Sequence, residues 1–110
     1  GVKIMQWLFL IIAGVFEVAW VIGLKYSYGF TKLVPSVLTI LGMIASFYFL
    51  SLAMKNIPLG TAYAIWTGIG TVGTGILGII LFNESVNPIR LICIGFIVIG
   101  AIGLKLVSSQ

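Results

Sequence analysis

Apolar residues run along this chain in four long stretches, and polar residues gather in the short intervals between them. Ile4 to Leu24 is the first stretch, broken only by Glu17, and Leu33 to Met54 is the second, with no charge inside it. The third lies within Asn56 to Asn83, and the fourth runs from about Pro88 to Leu106. Each can cross a bilayer once, because the hydrocarbon core takes about 20 residues of helix. The pattern predicts an all-α membrane protein whose four transmembrane helices cover about 5–25, 32–53, 58–82 and 88–107, forming one compact unit over 1–110.

The intervals carry turn chemistry. Gly29 supplies the turn within Lys25 to Lys32, and Lys55-Asn56-Ile57-Pro58 joins the second helix to the third. Before the fourth helix, Asn87 is placed to cap and Pro88 to take the first helical position, where its missing N–H costs nothing. The first stretch is too long for a signal-peptide core and no small-residue cleavage site follows it. Met5 reads as a natural start, with Gly1 to Ile4 left over from an added tag.

Composition agrees with the pattern: 61% of the residues are hydrophobic and 7% charged, more apolar surface than a soluble fold can hide. The net charge of +4 comes from six basic and two acidic residues. The basic ones stand singly at helix ends and form no patch, which argues against a nucleic-acid partner and for anchoring at the lipid headgroups. Arg90 and Lys105 lie close enough to the ends of the fourth helix to snorkel. Cys93, the one cysteine, permits no internal disulfide and is expected to be a buried packing residue. Nothing in the sequence calls for a metal, a cofactor or enzyme chemistry.

Four spans put Lys3, Lys55 and Lys105 on one side of the membrane and Lys25, Lys32 and Arg90 on the other, three against three, or two against three if Lys3 belongs to the tag. Orientation follows an excess of Lys and Arg on the cytoplasmic side, so a balanced chain has little reason to choose and is expected to insert both ways. Four helices also fill their own centre with side chains, leaving too little interior for a polar pathway. A transporter or channel this small should therefore be an oligomer. With both orientations present, the natural form is an antiparallel homodimer, which builds from two chains the inverted symmetry that larger transporters build from internal repeats.

Glu17 stands about three residues past the middle of its span, roughly 5 Å from the midplane. Ionisable groups at that depth usually mark an ion or proton pathway, and serine or asparagine would serve as packing glue at lower cost. Gly14, Glu17 and Trp20 recur at steps of three, placing a small residue and an aromatic beside the carboxylate. Tyr63, Trp66 and Thr67 make a polar and aromatic face on the third helix, and Thr39, Gly42 and Ser46 a small stripe on the second. Together they describe an acidic pocket walled by aromatics, suited to an organic cation. With no histidine and no embedded aspartate, any protons coupled to transport must be carried by Glu17. Gly70, Thr74 and Gly78 form a stripe at steps of four that suits close helix approach, and Gly68-Ile69-Gly70 is placed to be a hinge. Gly95, Gly100 and Gly103 contain no G-x-x-x-G.

From about Met5 to Ser108 the chain resembles the small multidrug resistance family. The most specific stretch is Ile57-Pro58-Leu59-Gly60-Thr61-Ala62-Tyr63-Ala64-Ile65-Trp66-Thr67-Gly68-Ile69-Gly70, supported by Glu17, Lys25-Tyr26-Ser27, Gly29-Phe30-Thr31 and Pro35-Ser36. Within the family it looks most like the guanidinium exporter subtype, through Trp20, Ser46, Glu84-Ser85 and Asn87-Pro88-Ile89-Arg90. The alternative is a broader exporter of quaternary ammonium cations. The resemblance implies an antiparallel dual-topology homodimer in the bacterial inner membrane that exchanges a cation outward for protons inward, both binding Glu17. It implies that Trp20, Ser46 and Trp66 orient the paired glutamates or wall the site, that Tyr63 gates the pocket, and that Gly14 leaves room beside Glu17. Guanidinium suits such a site because its planar N–H groups fork onto carboxylates. An anion channel would avoid the embedded carboxylate, and a non-transporting membrane subunit would have no use for an acidic aromatic pocket.

Overall fold

The computed structural model describes residues 2–107. They form α1 (Val2–Tyr26), α2 (Leu33–Ala53), α3 (Leu59–Phe82) and α4 (Pro88–Val107). All four are long and apolar enough to cross a membrane. Gly1, the first of the residues expected to precede the natural start, and residue 108, the end of the stretch that carries the resemblance, lie outside the described residues.

Packing among the four helices is uneven. α1 lies between α2 and α3, and α4 packs on α3 alone. The principal extents are 44 × 34 × 19 Å. Not one described residue of α4 is buried. The physical reason is the solvent: lipid tails are as apolar as leucine, so no hydrophobic force closes the helices around a common core. Close packing holds them instead. A Cβ at Gly42 of α2 would fall 2.9 Å from Trp20 Cβ of α1, and one at Gly14 would fall 2.6 Å from Ile69 Cγ2 of α3. One at Gly73 would fall 2.5 Å from Val18 Cγ2. Neither α1–α2 nor α1–α3 could approach this closely with alanine at those positions.

The loops fix where the helix ends point. Ser27, fully buried, donates from Oγ to Leu24 O at 2.7 Å and accepts at its carbonyl from Thr31 N at 2.9 Å. These bonds hold Tyr28, Gly29 and Phe30, all at positive φ, in a tight reversal. At the other junction on this side, Asn83 ends α3 in the left-handed conformation and donates its N–H to Gly78 O, as such caps commonly do. Asn87 Oδ1 then accepts from Ile89 N at 2.8 Å and starts α4 at Pro88. The chain is thereby folded so that Glu84 turns back over the last turns of α3.

Candidate functional site

Glu17 points from α1 towards α3, and what receives it is the absence of a side chain. A Cβ on Gly70 would coincide with the Glu17 carboxylate, so the group rests directly on the α3 backbone. Gly70 is buried and Glu17 half-buried. Among the described residues, Glu17 Oε1 is buried with no hydrogen-bond partner. A buried carboxylate oxygen left without a donor is costly, and a proton or a cation with N–H groups would relieve it.

The other anticipated residues fall into two groups. Gly14 faces the same way as Glu17, against Ile69. Trp20 does not: its Cβ meets Gly42 of α2, and its ring lies edge-on to Phe47 at 6.4 Å. Steps of three advance a helix by about 300°, so each step falls short of a full turn and the row drifts around the axis. By Trp20 the row has turned from α3 to α2. Ser46, fully buried, donates from Oγ to Ala13 O of α1 at 2.7 Å and accepts from Trp66 Nε1 of α3 at 2.9 Å. Its single proton is thus committed to α1, and the hydroxyl ties three helices at one point. Trp66 is buried, while Tyr63, 5.7 Å from it ring to ring, is 56% exposed. Gly68 faces α4, where a Cβ would lie 3.4 Å from Ile97 Cγ2, and α3 runs unbroken as helix through Gly68 and Gly70.

Two features were not foreseen. Phe47 joins Trp20 to Trp66, 5.9 Å from the latter, completing an aromatic row Trp20, Phe47, Trp66, Tyr63 across α1, α2 and α3. It sits one residue past Ser46 and so off the stripe that periodicity picks out. The second is the far end of the groove that Glu17 lines. This groove, about 510 Å³, runs past Thr71, Thr74 and Gly75 to Glu84 and Arg90. Arg90 lies at this end and is paired. Its Nη2 donates to Glu84 Oε1 at 2.7 Å, a charge-assisted bond across the loop between α3 and α4. Lys105 likewise lies over the Trp7 ring, at 5.2 Å. Cys93, expected to be buried, is exposed on the chain and lines the groove, because α4 has a neighbour on one face only. The sequence signal for the second feature was available: Glu84 is the other carboxylate of the chain and Arg90 its sole arginine.

Comparison with known proteins finds relatives over most of the chain. The family model described as Small Multidrug Resistance protein matches residues 5–97. The chain is 59% identical over 104 residues to a protein of Proteus vulgaris named guanidinium exporter, covering 94% of this chain and 100% of that one. It is 57% identical over 102 residues to the guanidinium exporter of Escherichia coli strain K12, covering 93% of this chain and 97% of the other. A guanidinium exporter of Salmonella typhimurium is 59% identical over 102 residues, with the same coverage of 93% and 97%.

Proposed function

The chain belongs to the small multidrug resistance family, and from that membership we propose that it exports guanidinium and small guanidinyl cations in exchange for protons. The observation that carries the reading is Glu17, a carboxylate within a membrane span, laid on the backbone of Gly70 with one oxygen making no hydrogen bond among the described residues. A charge at such depth costs roughly 3 kcal/mol on insertion scales. Either a proton or a cation removes that cost, and the two exclude one another. That competition lets an inward proton gradient drive a cation outward.

The working unit in this reading is an antiparallel homodimer in the bacterial inner membrane, with two Glu17 side chains meeting in one site that opens alternately to either side. Support comes from the balanced basic residues and from the open single-chain packing, in which no helix of the same chain covers the exposed faces of Tyr63 and Phe47. The Ser46 hydroxyl fixes the Trp66 ring, and with it the aromatic row that would wall the cation. Trp20 Nε1, buried without a partner among the described residues, is a donor free to meet the partner's carboxylate. Rigid walls and paired carboxylates favour a small planar ion with directed N–H donors over a bulky quaternary ammonium that has none.

The test is uptake into proteoliposomes driven by a pH gradient, comparing labelled guanidinium with tetraethylammonium and a polyaromatic quaternary cation. Guanidinium should be strongly preferred, and Glu17→Gln should abolish coupled exchange in a protein that still folds. Equal transport of the two cation classes would reassign the chain to the broad exporters of the family, and proton-driven transport by the well-folded Gln variant would refute the role of Glu17.

A further inference from the structure

The stripe Gly70, Thr74, Gly78 does more than bring helices together. A Cβ on Gly78 would coincide with the Glu84 carboxylate, just as one on Gly70 would coincide with that of Glu17. The only two carboxylates of the sequence are thus seated on one face of α3, about 12 Å apart along its axis. Thr74 stands between them, its Oγ1 buried and without a hydrogen-bond partner among the described residues. Both carboxylates and Thr74 line the same groove.

At its outer end the groove already holds a guanidinium group, that of Arg90. Nη2 donates to Glu84 Oε1 at 2.7 Å and to Gly75 O at 3.4 Å, and Nη1 donates to Ser85 O at 3.5 Å. One carboxylate and two carbonyls around a planar cation form an acceptor set that a free guanidinium could use equally well. The two side chains are 31% and 39% exposed, a setting in which water screens the pair and partners exchange readily.

We propose that Glu84 is an outer binding site for guanidinium-type cations at the mouth of the groove leading to Glu17, with Arg90 as its tethered occupant that an incoming cation displaces. The proposal rests on the reading of guanidinium as cargo. The occupant carries the same fork of N–H donors as that cargo, so the entrance discriminates by chemistry: a quaternary ammonium has no N–H with which to replace Arg90. In an antiparallel pair, each face of the membrane receives one such entrance.

The sole arginine gives a single side-chain Nε–H signal, which makes the test direct. With 15N-arginine in the full chain in lipid nanodiscs, guanidinium chloride should move that signal saturably, and equimolar tetramethylammonium chloride should not. The same movement should persist in Glu17→Gln, which removes the inner site, and vanish in Glu84→Gln. A signal that stays still in the unmodified protein, or moves equally with both salts, overturns the proposal. Transport supplies a second reading: Arg90→Gln should lower the KM for guanidinium and Glu84→Gln should raise it, each by up to about fivefold, the ceiling for a partly exposed pair. A pair that only braces the loop would shift KM the same way in both variants, which also overturns the proposal. If the unmodified protein fails to carry guanidinium at all, the transport reading falls, while the arginine titration still decides the outer site.

Discussion

Gly70→Ala tests the seat of the carboxylate without touching the carboxylate itself. The added methyl would coincide with the Glu17 carboxyl group and come within 2.9 Å of its Cγ. Ordinary contact begins near 3.5 Å, so the end of the side chain must leave its position. Glu17 is flexible enough to do so, at about 1 kcal/mol for an off-rotamer arrangement. Alanine in place of a mid-helix glycine returns up to about 1 kcal/mol of helix propensity. The two nearly cancel, and the variant should fold and melt close to the unmodified protein. Function should not survive equally well, because a reacting or binding group moved by about 1 Å can lose roughly a hundredfold in rate. Gly60→Ala is the matched control, since a Cβ there meets nothing within 4 Å. Melting in detergent by circular dichroism should be similar for all three proteins, and pH-driven guanidinium uptake should fall steeply in Gly70→Ala alone. Uptake by Gly70→Ala within twofold of the control would refute the argument that the bare α3 backbone positions Glu17.

Ser46→Ala removes the donor to Ala13 O and leaves Trp66 Nε1 unsatisfied. It should lower stability by about 1–2 kcal/mol and narrow the preference for guanidinium over a polyaromatic cation; an unchanged preference ratio would show that the Trp66 orientation is irrelevant to selection. Gly73→Ala drives a methyl to 2.5 Å from the stiff Val18 side chain, which cannot swing away as Glu17 can. Its thermal midpoint should therefore drop more than that of Gly70→Ala, and the reverse order would refute this assignment. Dual insertion predicts that a single cysteine in the second loop is labelled from both sides of the membrane. Because Cys93 is exposed on the chain, the experiment needs a Cys93→Ser background, and labelling from one side only would refute insertion in both orientations.

The sequence by itself determined the class of molecule and singled out Glu17 as its candidate site residue. Four long apolar stretches leave a bilayer as the only solvent that suits them, and a lone glutamate inside one of them is costly enough to need a use. Asn87 and Pro88 likewise announced the start of α4, since capping depends on residues adjacent in the chain. Tertiary structure decided everything that depends on which helix faces which. The row from Gly14 to Trp20 divides between α3 and α2 because helical steps of three drift around the axis, a rotation with no consequence until partners are in place. Ser46 proves to bind Ala13 and Trp66, a three-helix junction that no spacing within one helix could disclose. Cys93 was misplaced for a related reason: position within a span predicts depth in the membrane, not neighbours. The burial of a residue in lipid-solvated helices is set by contact with other helices, which here leave α4 almost bare, and the pairing of Arg90 is set by a loop that folds Glu84 back onto Gly78.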